Sequence, residues 1–456
     1  MIASPMRAGS NSNVTFWERI STVAATCGLP LGLRKGTITI LDQAVASASN
    51  FAASVIIGRA CSKTELGFYM LGFTIMLFAN GVQQSLILSP YTVFSARRND
   101  HELRLYTGSS LMFHVGLCVL TTLCLVIAAA VLAFISGSER LGAILWVLSA
   151  VMPLILLREF ARQVSFGRLE AGLALLLDCC VFLVQFGGLL LLAHFGALSS
   201  SRAYWLIGGA CGVTSLVWLF WSRHAFAFSL DQLVPDLQKN WRLARWLVAS
   251  SVAFAGSSQM YPWILTAFHG AAATGIFAAC RGVLFSANPF LLGLQNFLGP
   301  KFAHEVHKNG SDGLYRATVR AVLVIAAVMG VFCLVMLLFG GSILKIVYGE
   351  KYAGYGVVIA VLALAQLVSA VNAPLTSSLM AMERTDVEFK CSLAAMVVMP
   401  TIGMWLVKFY GPLGAGYGLL AGAVASTAYG WILFNRQHRV DSTSSNANAL
   451  PVGDEL

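Results

Sequence analysis

The stretch GTITILDQAVASASNFAASVIIGRA, Gly36 to Ala60, is apolar enough to cross a bilayer, yet it carries Asp42, Gln43 and Asn50. A spanning helix needs about 20 predominantly apolar residues. Polar side chains inside one mark a packing partner, a watery path or a bound group. Asp42 sits near the start of the segment, where the positive end of the helix dipole favours a carboxylate. Whether the segment is a core helix or one span of many is decided by the rest of the chain.

Of the 456 residues, 57% are hydrophobic and only 11% charged. The mean hydropathy is +0.75. That leaves too little polar surface to cover a soluble core of this size. Apolar runs predict twelve spans, near 37–58, 67–94, 109–135, 142–158, 171–193, 203–222, 246–267, 271–299, 317–339, 353–380, 390–408 and 412–434. Hydrocarbon offers the backbone no hydrogen-bond partner, so such spans are helical. The expected fold class is therefore an all-α polytopic membrane protein.

Basic residues set the expected orientation. With the N-terminus placed in the cytoplasm, inner segments hold 22 of the 30 Lys and Arg residues and outer segments 7, leaving Arg281 inside a span. Both termini are expected in the cytoplasm. The net charge of +10 then lies mainly on loops facing anionic lipid, and no nucleic-acid partner is needed to explain it. Trp218, Trp221, Trp241 and Trp246 flank one such loop, as an aromatic belt would. Most of the ten cysteines fall in apolar spans without metal-ligand spacing, as small packing residues do.

The chain also repeats. Gly67, Ala79 and Asn80 recur 208 positions later as Gly275, Ala287 and Asn288, and Arg168 recurs 216 later as Arg384. Six spans separate the copies. An even number keeps direction, so the halves are related by an axis along the membrane normal. The expected division is a cytoplasmic segment 1–36, an N-lobe 37–222, a cytoplasmic inter-lobe loop 223–245, a C-lobe 246–434 and a polar tail 435–456.

In such a design the site lies near the midplane between the lobes, marked by inward polar residues. Arg281, Asn288 and Gln295 are spaced by seven and share a helical face. Asn80, Gln83 and Gln84 cluster in the second span, and Asn50 follows Asp42 by eight residues. Pro262 and Pro374 each remove a backbone bond within a span, which invites a kink. Arg281 is the deepest cation, and burying it costs about 2.5–3.5 kcal/mol or more. Either Asp42 or Asp178 pairs with it, or it grips an anion, bidentately if that anion is a phosphate. Asp42 and Asp178 are the candidate sites for a proton or sodium ion.

Several stretches resemble the polysaccharide-type flippases of the multidrug/oligosaccharidyl-lipid/polysaccharide exporter superfamily. They are LDQAVASASNFAASVIIGRACSKTELGFYML (41–71), ATGIFAACRGVLFSANPFLLGLQNFLGPKFA (273–303), ILKIVYGEKYAGYG (343–356) and FYGPLGAGYG (409–418). The resemblance runs from about residue 36 to 435. It implies two six-helix lobes, as in multidrug and toxin extrusion transporters, around a central cavity with alternating access. It also implies a polyprenyl-pyrophosphate-linked oligosaccharide as substrate, in the bacterial inner membrane, with other polysaccharide-assembly membrane proteins as candidate partners. Arg281 matches the cavity arginine of the eighth helix in the related precursor flippases. Their further arginines on the first two helices are missing here, as are their two extra helices.

On these grounds the residues expected to hold substrate are Arg281, Asn288, Gln295, Asn80, Gln83 and Asn50. No cofactor or metal is expected. The alternative is a cation-coupled exporter of small molecules, which favours acidic and aromatic cavity residues. A membrane enzyme of glycan assembly is a remote third, because the outer loops are short and hold no nucleophile–base pair. The topology has a direct check. Reporter fusions at Asn446 and Ser342 are expected to read inside and outside respectively; matching readings would overturn the orientation.

Overall fold

The computed structural model describes residues 31–95, 98–135, 139–168, 170–382 and 386–448. Among them the chain is helical almost throughout. We number twelve helices: α1 Leu31–Ala60, α2 Lys63–Ser95, α3 Asp100–Ile135, α4 Glu139–Gly167, α5 Ala171–His194, α6 Ser200–Trp221, α7 230–269, α8 271–309, α9 311–348, α10 Gly356–Ala381, α11 386–410 and α12 412–448. Eleven of them lie wholly or partly in stretches long and apolar enough to cross a membrane. The exception is α1, whose polar residues line a cavity in the first half of the chain. The twelve helices form two six-helix lobes.

Local signals set the boundaries. Ser62 and Ser199 cap α2 and α6, their hydroxyls accepting from Glu65 N and Arg202 N, as N-cap serines do. The junctions α7–α8, α8–α9 and α11–α12 have no loop. Each turns on one glycine of positive φ, namely Gly270 (78°), Gly310 (63°) and Gly411 (56°). The break expected at Pro262 appears just before it, as a π-helical segment Ala255–Gln259. Pro374 lies inside α10, and the helix continues past it to Ala381.

Three expected boundaries differ. The inter-lobe segment 223–245 is a loop only at its start, since helix begins at Leu230. Its amphipathic pattern buries Asp236, Asn240 and Ala244 four apart. Asp236 pairs with Arg98 at 2.7 Å, and Asn240 accepts from the Tyr106 hydroxyl at 2.8 Å. Charged residues at the other positions hid that face from a hydropathy reading. At the ends of the chain, α1 begins at Leu31 and α12 runs to Asn448, into segments expected to be polar extensions.

The lobes touch most closely where α2 crosses α8. A Cβ on Gly67 would lie 1.8 Å from Ala271 O, and one on Gly275 would lie 1.9 Å from Lys63 O. Each would also sit 3.1 Å from the other glycine's nitrogen. Residues 63 and 67 meet 271 and 275 reciprocally, with the offset of 208 found in the sequence. A reciprocal contact is the mark of a two-fold axis, so the axis relating the lobes passes through this crossing.

Several contacts between lobes lie at the same end, opposite the start of α1 and the end of α12, and others join α7 to α2 and α3 toward the other end. Arg59, at the end of α1, donates to Val347 O at 2.7 Å and to Ile346 O at the end of α9. Lys351 donates to Arg59 O and Cys61 O in return. Each lobe thus supplies a cation to the orphan carbonyls of the other's helix end. Farther along, Trp263 Nε1 donates to Thr74 at 2.9 Å, and Ser85 bonds Ser251 at 2.7 Å.

Substituting Gly275→Ala should cost about 1–3 kcal/mol, the usual range for overpacking a tight contact. Gly209→Ala should be neutral or better, since nothing lies within 4 Å of a Cβ there. Thermal melting of the purified protein checks both. Equal melting points for Gly275→Ala and Gly209→Ala would contradict the crossing.

Candidate functional site: a charged cavity in the N-lobe and a lone arginine in the C-lobe

Three helices of the N-lobe bring five charged side chains together. Asp42 comes from α1, Arg158, Glu159 and Arg162 from α4, and Asp178 from α5. Arg162 Nε and Nη2 donate to Asp42 Oδ2 at 2.9 and 2.5 Å, while Nη2 also reaches Gln43 Oε1 at 3.3 Å. Arg158 donates to Asp178 Oδ1 at 2.6 Å and to Glu159 Oε1 at 2.5 Å. Asp178 Oδ2 lies 3.2 Å from Arg162 Nε. That contact is an ion pair without a hydrogen bond, because the N–H points to Asp42. Both aspartates have side-chain exposures of 0%, against 15% and 17% for the two arginines.

Arg158, Glu159 and Arg162 wall a cavity of about 340 Å³, whereas Asp42 and Asp178, bonded to the two arginines, are not among its lining residues. Asn50 and Gln43 of α1, Asn80 and Gln84 of α2, and Gln185 of α5 also line it. Ser49 donates to Gln185 Oε1 at 3.2 Å, tying α1 to α5. Asp42 Oδ1, Asn80 Oδ1 and Arg158 Nε are buried without hydrogen-bond partners. Such orphans are costly in a membrane interior. They mark a place where water, a proton or a ligand completes the network.

The cluster holds three carboxylates and two guanidiniums. With every group ionised it carries one excess negative charge, which a proton or monovalent cation would balance. An anion would first have to displace a carboxylate from Arg158 or Arg162.

Of the expected substrate residues, Asn50 and Asn80 line this cavity. Gln83 does not. It is fully buried and donates to Leu156 O at 2.9 Å, with His114 Nδ1 at 3.1 Å. Successive helical residues diverge by about 100°, so Gln84 faces the cavity and Gln83 faces the lobe's interior. Arg281 and Asn288 lie in α8 and are not among the lining residues. Gln295 is in α8 too, with its side chain outside the described residues.

Arg281 is not paired with Asp42 or Asp178, since Arg162 and Arg158 hold both. Its guanidinium lies 5.7 and 5.5 Å from the rings of Phe277 and Phe285, one turn to either side. Cation–π attraction operates at that range. Its Nη1 is buried and makes no hydrogen bond.

The sequence reading missed Arg158, Glu159 and Arg162 by ending the fourth span at residue 158. The helix continues to Gly167. The i, i+4 spacing of the two arginines, alternating with apolar Phe160, Ala161 and Val164, carried that signal. Withdrawing both from the inner-loop count leaves 20 against 7, and the charge bias survives.

No protein-family model matches the sequence, and no curated protein matches it. Solved structures do match in fold. An inward-facing multidrug resistance MATE family transporter of the MOP superfamily gives a TM-score of 0.75 at 14% identity, covering 89% of this chain and 99% of that one. An outward-facing multidrug resistance MATE family transporter gives 0.63 at 13%, covering 90% and 96%. A MOP superfamily transporter from Pyrococcus furiosus, described as having a binding pocket of reversed polarity, gives 0.64 at 13%, with the same coverage. The fold of this chain is thus that of the MATE transporters, with twelve helices in two lobes.

The charge balance predicts an order among variants. Arg158→Met leaves three carboxylates with one guanidinium and should cost about 3–5 kcal/mol, as does breaking a buried pair. Asp178→Asn keeps an acceptor for Arg158 and removes the excess charge. It should cost no more than about 1.5 kcal/mol, the scale of one neutral hydrogen bond. Melting of the two purified variants checks the order, and equal losses would refute it.

Proposed function

We propose that this chain moves a polyprenyl-pyrophosphate-linked oligosaccharide from the cytoplasmic to the outer leaflet of a bacterial inner membrane, by alternating access between its lobes. Sugars and pyrophosphate cannot cross hydrocarbon unaided, because each desolvated polar group costs several kcal/mol. A hydrophilic path between the lobes lowers that barrier while the polyprenyl tail stays in lipid.

The observation that carries this reading is Arg281. It is a guanidinium inside a helix bundle, and both carboxylates that could have neutralised it are committed to other arginines. A planar fork with an unpartnered nitrogen suits a bidentate phosphate. Asn50 and Asn80 add amides that bond hydroxyls. The fold is more similar to the inward-facing MATE structure than to the outward-facing one. That agrees with a cavity loaded from the cytoplasm. Asp42 and Asp178, with Glu159 beside them, supply the excess negative charge that would couple transport to a proton or sodium ion. In that role Asp178→Asn weakens ion-dependent transport while the folded yield holds.

A second reading, a cation-coupled exporter of small cations, is favoured by one observation. The N-lobe cluster, of which Arg158, Glu159 and Arg162 line the cavity, has three carboxylates to two guanidiniums. Proteoliposomes loaded in parallel with a lipid-pyrophosphate glycan and with a cationic dye separate the two. Movement of the dye alone would replace the first reading with the second.

Within the first reading, Arg281→Ala should lower flipping about ten- to a hundredfold, the loss of one charge-assisted hydrogen bond or slightly more. Arg281→Lys should keep part of the activity, retaining charge without the fork. Both variants should insert and fold, since no carboxylate loses its partner. Wild-type flipping by Arg281→Ala would refute the assignment.

A further inference from the structure

A groove of about 670 Å³ opens on the N-lobe where α4 ends, α5 begins and α6 ends. It is independent of the charged cavity and of whatever the chain transports. Its long wall is apolar and faces outward, with Leu176, Val213 and Val217 exposed by 38%, 67% and 53%. Its head is polar and holds Arg168, Glu170, Ser222 and His224.

Two donors at the groove lack acceptors. Arg168 Nη2 bonds Ala225 O at 2.9 Å, but its Nε is buried without a partner. Trp218 is 4% exposed, held edge-on by Phe160 and Phe226, and its Nε1 is likewise buried and unpartnered. An indole N–H and a guanidinium N–H can only donate. Leaving each unmade costs about 1–3 kcal/mol, and one anionic acceptor bound in the groove would answer both. Arg223, next in sequence to the groove residues Ser222 and His224, stacks its guanidinium over Phe220 and donates to His224 Nε2. Trp221, 62% exposed at the rim, is a side chain that settles at the headgroup level.

We propose that this groove is a binding site for one anionic phospholipid of the bilayer. Its phosphate is held by Arg168 and Trp218 after a small side-chain adjustment, and one acyl chain lies along Leu176, Val213 and Val217. The apolar wall selects a lipid over a soluble anion, because a free phosphate would leave that wall to other hydrocarbon. The site also gives Arg168 a role. It is one of the residues repeated between the halves of the sequence, and it takes no part in the charged cavity.

Native mass spectrometry of the full-length protein, delipidated in detergent, tests this by titration with phosphatidylglycerol and with phosphatidylcholine. The first phosphatidylglycerol should bind about tenfold tighter than phosphatidylcholine, the worth of one charge-assisted hydrogen bond. Val217→Trp, which fills the groove from its lipid-exposed wall, should abolish that preference, as should Arg168→Gln. Equal binding of the two lipids by the wild type would overturn the proposal. So would a preference that persists in Val217→Trp. Arg168→Gln also loses the bond to Ala225, so if it fails to fold, Val217→Trp decides the question.

Discussion

The close crossing of α2 and α8 at Gly67 and Gly275 is the constraint on which the rest of the structure depends. Backbone meets backbone there with no room for a side chain, the kind of contact small residues permit in membranes, where hydrophobicity does not drive helices together. The crossing lies near one end of both helices, and Arg98–Asp236 and Tyr106–Asn240 join the lobes toward the other end. The cations of Arg59 and Lys351 cap carbonyls at the crossing's end. Those capping bonds are exposed to water and individually weak. This end of the junction is one small-residue crossing and a few exposed hydrogen bonds, the latter exchangeable for water.

The N-lobe meets a different constraint. Three carboxylates and two guanidiniums sit among apolar helices, where each isolated charge would cost several kcal/mol. Hydrogen bonds between α1, α4 and α5 offset that cost, and they fix α1 against the rest of the lobe. The polar residues that depress the hydropathy of α1 are therefore held in place. With every group ionised the cluster carries one excess negative charge beside α1.

Much of the fold was legible because a bilayer admits few structures. Apolar runs separated by basic loops led to twelve helices, and the recurrence of Gly67 as Gly275 across six spans gave the axis its direction, while its place at the crossing emerged only from the contact. The candidate site was less legible. Asn50 and Asn80 were found as polar residues in apolar helices, whereas Gln83 looked the same and serves the lobe's interior through Leu156 and His114. Hydropathy cannot tell a cavity face from a buried network when both carry one amide per turn. Arg158 and Arg162 were read as loop residues because charge ends a hydropathy window, although a helix can carry charge inward where partners wait. The pairing of Asp42 with Arg162 joins residues 120 positions apart, and no local pattern records it.

The charged residues of the cluster, and Arg281, are also places where the two halves differ. At the offset of 208, Asp42 corresponds to Ser250 and Arg281 to Phe73; at 216, Arg158 corresponds to Pro374 and Arg162 to Ser378. The asparagines Asn80 and Asn288 and the crossing glycines are kept on both sides. The repeated residues thus supply the common scaffold, and the unrepeated ones break its symmetry. A symmetric pair of lobes would present the same field from both sides of the cavity. Here one lobe holds a self-paired cluster with one negative charge in excess, and the other holds a cation that neither Asp42 nor Asp178 neutralises. An anion entering between them is drawn toward the C-lobe, and a cation toward the N-lobe. The two lobes thus carry opposite charges at separate places.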